Sequence, residues 1–141
     1  MKEFFDTSVF IAAFGRGHAS HEASLKLVAS ANKKRSACAL HTLAEVYATM
    51  TALPVKQKIL ADQALRFVQD ARDRCAVIAL NEDEYHATIE ECAADHFTSG
   101  MIYDALLLRC ASKSKAQTIY TWNLKHFQAI APQIAERIRT P

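Results

Sequence analysis

The segment KEFFDTSVFIAAF, residues 2–14, consists of an apolar strand pattern followed directly by a helical pattern, and Asp6 lies where the two meet. We expect a strand over Lys2–Asp6 and then a helix, because Thr7 and Ser8 are residue types that cap helices. In open α/β sheets, ligands bind outside the carboxyl ends of the strands. The segment therefore predicts a fold class and also a first candidate site residue, Asp6.

The rest of the chain alternates strand-like and helix-like patterns. Further strands are expected at Ser36–Leu40, Cys75–Leu80, Thr118–Thr121 and, at an edge, near Ile138. Helices are expected over Ala19–Asn32, from Thr42 with Glu45 completing a capping box, from Pro54 to Asp70, from an Asn81 cap to Ala94, and after Gly100 to Ser112. Alternating strands and helices pair in parallel through right-handed crossovers. We therefore expect a single domain over residues 1–141, built as a three-layer α/β/α sandwich with a parallel sheet of four or five strands.

The composition favours a soluble, cytoplasmic protein. No apolar run approaches the roughly 20 residues of a membrane span, and the N-terminus lacks the layout of a secretion signal. The four cysteines lie far apart without a C-x-x-C pair, so we expect free, buried thiols in a reducing compartment. The formal net charge of +2 neither indicates nor excludes a nucleic-acid binder.

Three acids occupy positions from which their side chains can meet. Asp6 ends the first strand, Glu45 lies early in the helix after the second strand, and Asp104 lies near the start of the helix before the fourth. Each alone has an ordinary explanation, as a helix cap or as a charge near the positive end of a helix. Asp104 weakens that explanation, because it lies in the apolar run MIYDALLL, where an unpaired charge is costly to bury.

Carboxylates that are brought together raise one another's proton affinity, and a divalent cation relieves the repulsion between them. Ligand sets made only of oxygen suit Mg²⁺ or Mn²⁺. Such an ion lowers the pKa of a bound water and stabilises charge on a phosphoryl group. The residues themselves therefore predict an acidic metal pocket in an α/β sheet.

Four stretches, FFDTSVF, HTLAEVYATM, SGMIYDALLLRCA and IYTWNLKHF, resemble in order and spacing the four motifs of PIN-domain nucleases. Together they span the whole chain. The small size of the chain and its form of the second motif, HTLAEVYATM, resemble the bacterial toxin branch often called VapC. This resemblance implies an endoribonuclease that depends on Mg²⁺ or Mn²⁺, an RNA substrate, a cognate antitoxin and a homodimer.

The resemblance also assigns roles to individual residues. It makes Asp6, Glu45 and Asp104 the catalytic and metal-binding acids, with the hydroxyls of Thr7 and Thr121 in support. In the fourth motif the chain departs from the common pattern. Asn123 stands where many relatives have a catalytic aspartate, and His126 stands where a further acid is sometimes found. An asparagine can coordinate or orient a water through its amide oxygen but adds no charge, so the number of bound metals stays open.

Two other functional classes compete with the nuclease. The chain could be a catalytically weak PIN-like module that binds RNA or protein, and Asn123 is the best support for that alternative. A phosphoacceptor signalling domain fits poorly, because the strands after Ser36 and Cys75 end at Leu40 and Leu80 without an acceptor aspartate. Trp122, next to the predicted site, could stack on a base, although packing is the favoured interpretation.

Overall fold

The computed structural model describes all 141 residues and contains one parallel sheet between helices. The strands are β1 Glu3–Phe5, β2 Ser36–Ala39, β3 Ala76–Ile78, β4 Thr118–Tyr120 and β5 Ile138–Arg139. The helices are α1 Thr7–Phe14, α2 His21–Ala29, α3 Leu40–Ala52, α4 Ala61–Arg74, α5 Glu82–Ala94, α6 Met101–Ser114 and α7 Leu124–Ile130, and a 3₁₀ helix follows at Pro132–Arg137. No helix is long and apolar enough to cross a membrane.

The sheet has the strand order β3-β2-β1-β4-β5, and every neighbouring pair is parallel. The chain moves outward from β1 to β2 and β3, and then returns to the other side of β1 with β4. The winding therefore reverses between β1 and β4, which is where open α/β sheets place their ligands. Phe5 pairs with Tyr120 in this register, so the residues after both strands lie side by side.

Alternate strand residues enter two separate cores, because successive side chains point to opposite faces of a sheet. Phe4, Ala37 and Ile119 face α6 and α7, with Leu107 and Phe127 in the same cluster. On the other face, the buried strand residues Phe5 and Cys38 pack against α1 to α4, and Val46 and Met50 of α3 belong to the same cluster. The expected three-layer sandwich with a five-stranded parallel sheet is thus confirmed. The extent of a single domain over residues 1–141 stays a prediction.

Three expected helix starts were wrong. Asp6, and not Thr7 or Ser8, is the N-cap of α1. The third helix begins at Leu40, so Glu45 completes no capping box with Thr42, which is instead fully buried. Pro54 follows the last turn of α3 and does not begin α4, which starts at Ala61. A proline has no N–H and restricts the residue before it, so it ends one helix as readily as it opens another.

Other boundaries moved by only a few residues. The second helix begins at His21 and ends at Ala29, and the third strand covers only Ala76–Ile78. The Asn81 cap was predicted correctly: its side chain accepts a hydrogen bond from the Glu84 N–H, and Glu84 reciprocates. The edge strand at Ile138 was also predicted correctly.

Candidate active site

Asp6 lies at the reversal point of the sheet, directly after β1. Its N–H donates to the Tyr120 carbonyl at 3.0 Å, which continues the pairing of β1 with β4 by one residue. Asp6 is the N-cap residue of α1 and has extended backbone geometry, so it both ends the strand and begins the helix. Its side chain is 3% exposed. The fold therefore holds this carboxylate in a rigid position at the carboxyl end of the sheet.

One oxygen of Asp6 carries its hydrogen bonds. Oδ2 accepts from Ser8 Oγ at 2.7 Å, from Thr121 Oγ1 at 2.8 Å and from the Ser8 N–H at 3.4 Å. None of these donors uses Oδ1. Burial raises the pKa of Asp6, while the hydrogen bonds from Ser8 and Thr121 oppose that rise by stabilising the charged form. The carboxylate thus has one anchored oxygen and a second oxygen that the surrounding hydroxyls leave free.

Glu45, in the second turn of α3, has a buried oxygen without a hydrogen bond. Its Oε1 lies 3.3 Å from His41 Nε2, one helical turn earlier, but no donor reaches it in hydrogen-bonding geometry. Burial raises the pKa of Glu45; His41 lowers it, and the negative charges of Asp6 and Asp104 raise it further. A buried acceptor that is left unpaired costs about 1–3 kcal/mol, and more for a charged group. Glu45 Oε1 is therefore available to bind a cation.

Asp104, in the first turn of α6, is the third member of the group. Burial raises its pKa, the charge of Asp6 raises it further, and His126 lowers it. The charge of Asp104 acts in turn on Glu45, so the three predicted acids form one electrostatically coupled set. No salt bridge joins any of the three to a lysine or an arginine. The structure therefore brings the three acids together at one end of the sheet.

The three carboxylates do not form a closed ligand cage. No group of three or more His, Cys, Asp or Glu side chains is drawn together around one ion position. The donor set nevertheless fits a hard divalent cation, because Mg²⁺ keeps several waters and uses only one or two carboxylates directly. The unpartnered Glu45 Oε1 supports the same fit. Asp6, Glu45 and Asp104 could therefore hold Mg²⁺ or Mn²⁺.

The two hydroxyls expected to support the acids occupy different places. Thr121 is fully buried, donates to Asp6 and accepts the Asn123 N–H at 2.9 Å. Thr7 is buried behind the acids and donates to Thr42 Oγ1 at 3.2 Å. It also lies close enough to Glu45 to lower the pKa of that carboxyl. A hydroxyl has a single proton, so donation to Thr42 and donation to Glu45 are alternatives.

Three contributors were missed in the sequence. Ser8 was considered only as a helix cap, yet its hydroxyl contacts Asp6 and accepts the Trp122 N–H at 2.9 Å. Its position two residues after an aspartate is typical of Asx turns and could have indicated this contact. His41, four residues before Glu45, could have been found from the helical spacing. Thr42 carried no comparable signal.

The fourth motif lies at the rim of this group. Asn123 is exposed, lies immediately before α7 as its N-cap residue and makes no side-chain cap hydrogen bond, so its amide is free to face solvent or a ligand. His126 is also exposed and lies near Asp104. Trp122 is anchored instead: its Nε1–H donates to the fully buried Ser24 Oγ at 2.8 Å, and its ring packs against the core that contains Phe5. Packing, the favoured interpretation of Trp122, agrees with this geometry.

Comparison with known proteins identifies the group to which this arrangement belongs. A model of the PIN domain matches residues 4–131. Ribonuclease VapC40 of Mycobacterium tuberculosis is 29% identical over 102 residues, which are 72% of this chain and 72% of that protein. Ribonuclease VapC27 of the same organism is 29% identical over 112 residues, which are 79% of this chain and 78% of the relative.

Solved structures share the fold at lower identity. The crystal structure of Mycobacterium tuberculosis VapC20, described as a sarcin-ricin loop cleaving toxin, has a TM-score of 0.74 at 18% identity and covers 92% of this chain and 95% of its own. VapBC2 from Rickettsia felis, bound to a DNA fragment from its promoter, has a TM-score of 0.66 at 19% identity over 99% and 98% of the two chains. FitAB bound to a DNA fragment has a TM-score of 0.65 at 16% identity over 99% and 94%. At these identities the likeness concerns the fold alone.

The family match begins within β1 and ends just after α7, so it contains all of the acids described above. Asp6, Glu45 and Asp104 each lie within it, as does the fourth motif around Asn123. The family match agrees with the strand order of the sheet and with the position of the coupled acids. The chain belongs to the PIN domain family.

Proposed function

We propose that this chain is a divalent-metal-dependent endoribonuclease and the toxin of a toxin–antitoxin pair. The observation that carries the proposal is the coupled set of Asp6, Glu45 and Asp104, three partly or fully buried acids without a lysine or arginine partner. Two relatives of similar length that carry the name ribonuclease support RNA as the substrate. The four cysteines are all free and buried, which fits a reducing compartment such as the cytoplasm.

In this mechanism Asp6, Glu45 and Asp104 would hold Mg²⁺ or Mn²⁺. When bound, such an ion lowers the pKa of a water and offsets charge on the phosphate. Ser8 and Thr121 hold Asp6 Oδ2, which leaves Oδ1 without a hydrogen bond from either hydroxyl. The buried Glu45 Oε1 accepts no hydrogen bond from the protein and is therefore available to the cation or to a water. Asn123 at the rim orients water or substrate through its amide without adding negative charge.

The non-cutting binding module is not favoured. A module that only binds RNA has no need to bury three acids that repel both one another and the phosphates of the ligand. The substitution of aspartate by Asn123 falls on an exposed rim position, whereas the three retained acids are the more enclosed ones. The loss of charge in the fourth motif therefore affects the periphery of the site.

The partners follow from the same proposal. VapBC2 and FitAB were solved as two-component assemblies, which supports an antitoxin as the partner of this chain. An apolar groove of about 470 Å³, with eleven hydrophobic residues among the twelve that line it, lies between α3, β3, α5 and α6. Leu40 and Tyr85 at this groove are exposed large hydrophobic residues. We propose that a second copy of the chain covers it, as the family resemblance implies.

The decisive experiment is cleavage of single-stranded RNA by the purified chain in Mg²⁺, in Mn²⁺ and in EDTA. We expect cleavage with either metal and none in EDTA. Asp104→Asn should abolish it, whereas Asp73→Asn, the same change at an exposed acid of α4, should retain wild-type activity. Equal cleavage by wild type and Asp104→Asn would refute the assignment, as would undiminished activity in EDTA.

A further inference from the structure

A stacked pair of aromatic rings lies outside the hydrogen-bonded part of the site. The rings of His41 and Tyr103 have centroids 5.9 Å apart and planes only 9° from parallel. The His41 side chain is 49% exposed and Tyr103 is 53% exposed. Both residues lie in the first turn or so of a helix, His41 in α3 and Tyr103 in α6. In the single chain, the starts of two helices therefore hold an aromatic surface that is open to solvent. His41 also lines the groove proposed for the second copy, whereas Tyr103 does not, so Tyr103 supplies the face that stays accessible.

The pair borders the carboxylates directly. His41 Nε2 lies 3.3 Å from Glu45 Oε1, and Tyr103 immediately precedes Asp104 in α6. The other aromatic residue near the site, Trp122, packs against a core and uses its indole N–H to bond Ser24. The exposed stacking surface next to the acids is thus formed by Tyr103 and His41, and Trp122 is not part of it.

Stacking offers the pocket an affinity for substrate that does not depend on basic side chains. Asp6, Glu45 and Asp104 repel a polyanion, and no salt bridge places a lysine or an arginine among them. Aromatic stacking on a base is independent of phosphate charge and tolerates any sequence, because every base has a π-face. A platform beside the acids would position the chain of nucleotides without adding charge to the site.

We propose that Tyr103, supported by His41, is the stacking platform for an unpaired nucleobase next to the phosphate that is cut. This inference rests on the proposed function and names the contact that positions its substrate. The ligand is single-stranded RNA, because a paired base has both faces covered by its neighbours in the helix. Tyr103 contacts the base, and the parallel His41 ring supports it while remaining beside Glu45.

The test measures binding separately from cleavage. The anisotropy of a fluorescein-labelled, unstructured RNA of about 12 nucleotides, a length within ordinary single-strand site sizes, is followed with Ca²⁺ in place of Mg²⁺. Ca²⁺ occupies oxygen sites without the strict octahedral geometry of Mg²⁺. The variants are Tyr103→Leu, Tyr103→Phe and, as a matched control, Tyr47→Leu, which changes a 42% exposed tyrosine of α3. An abasic oligonucleotide of the same length provides the second ligand.

We expect Tyr103→Leu to weaken binding of the RNA about 5- to 100-fold, the effect of losing one stacked base. Tyr103→Phe and Tyr47→Leu should bind within about twofold of wild type, since neither removes a ring from the platform. On the abasic oligonucleotide, Tyr103→Leu and wild type should bind equally.

Four results would overturn the platform. They are unchanged RNA binding by Tyr103→Leu, equal losses in the Leu and Phe variants, an equal loss on the abasic oligonucleotide, and a changed oligomeric state of Tyr103→Leu in gel filtration. The proposed nuclease function fails separately, if wild type binds RNA in Ca²⁺ but does not cut it in Mg²⁺ or Mn²⁺.

Discussion

Ser8 Oγ donates to Asp6 Oδ2 at 2.7 Å, and this one contact joins the first helix to the carboxyl end of β1. The same hydroxyl accepts the Trp122 N–H at 2.9 Å, so it also connects the loop after β4. Thr121 Oγ1 lies 3.5 Å away and shares Oδ2 as its acceptor. The direction in which Asp6 presents its free oxygen is thus determined by Ser8 and Thr121.

The first prediction is that Ser8→Ala lowers RNA cleavage while the fold is kept. The variant loses a charge-assisted hydrogen bond to Asp6 and leaves the Trp122 N–H unpaired, which together should cost about 2–4 kcal/mol of stability. Since the side-chain hydrogen bond from Ser8 lowers the pKa of Asp6, removing it should also shift the acidic limb of the pH–rate profile upward. Ser8→Thr retains the hydroxyl and should restore that limb. A pH profile identical to wild type in Ser8→Ala would contradict the positioning role.

The second prediction concerns the charge of the metal-free pocket. Burial raises the pKa of Asp6, and burial together with neighbouring acids raises the pKa values of Glu45 and Asp104 above their unfolded values. The folded state therefore binds protons more tightly, so these groups make the protein less stable as pH rises from about 4, the unfolded value, through their raised pKa values. In EDTA at neutral pH, Asp104→Asn should accordingly raise the melting temperature by a few degrees.

Mg²⁺ provides the internal control for this prediction. Because the ion binds only the folded site, it should raise the melting temperature of wild type at neutral pH and raise that of Asp104→Asn less. Asp73→Asn, at an exposed acid of α4, should respond to Mg²⁺ as wild type does. Differential scanning fluorimetry measures all three proteins. A lower melting temperature of Asp104→Asn in EDTA would show that the acids do not repel one another in the folded protein.

The location of the acids could be predicted from sequence because it depends on a few long-range rules. Asp6 and Thr121 follow buried strands that are parallel and adjacent, so their side chains had to meet once the strand order was known. The helix starts at Leu40 and Ala61 could not be predicted in the same way. The residue before each start, Ala39 or Leu60, is apolar and makes no side-chain cap hydrogen bond, so no capping residue of the usual type marks the start in the sequence.

The individual hydrogen bonds of the site could not be predicted from the sequence either. Thr42 had the spacing of a helix cap, but it is fully buried and bonds Thr7 from another helix. The stacking of His41 on Tyr103 depends on how α3 and α6 approach each other, and no local pattern contains that distance. Contacts between residues that are far apart in the chain require the packed structure.

The third prediction concerns Asn123, whose exposed amide lies at the start of α7. Asn123→Asp adds a negative charge at the rim of the acidic set and should tighten Mn²⁺ binding while retaining activity. Asn123→Ala removes the amide oxygen and should weaken binding. Titration calorimetry with Mn²⁺ measures both variants against wild type. Unchanged affinity in the two variants would leave Asn123 as a turn residue outside the site.

The fourth prediction concerns the apolar groove between α3 and α5. If a second copy covers it, Tyr85→Arg should convert the dimer to a monomer, because a buried charge without a partner is costly. Leu65→Arg is the matched control, since Leu65 on α4 has a similar exposure, 49% against 47% for Tyr85, and does not line the groove. Light scattering coupled to gel filtration reports the mass. A Tyr85→Arg protein that remains dimeric would place the subunit interface elsewhere.

The last prediction concerns inhibition by the antitoxin. The three carboxylates have no lysine or arginine of their own, and Glu45 Oε1 accepts no hydrogen bond. A guanidinium offers planar, permanently charged donors that pair with carboxylates bidentately, so an inserted arginine can displace the metal. We expect the product of the neighbouring open reading frame to copurify with this chain and to inhibit it through such a residue.

Replacing the inserted basic residue of that partner by alanine should release the nuclease, while copurification persists through the remaining interface. Titration of the complex with Mn²⁺ distinguishes this mode from simple occlusion, because an arginine on Asp6 and Glu45 must compete with the ion for the same oxygens. The alanine variant of the partner should restore Mn²⁺ affinity to that of the free chain. Inhibition that survives the alanine change, with Mn²⁺ binding untouched in the wild-type complex, would mean that the partner blocks the path of the RNA instead of the carboxylates.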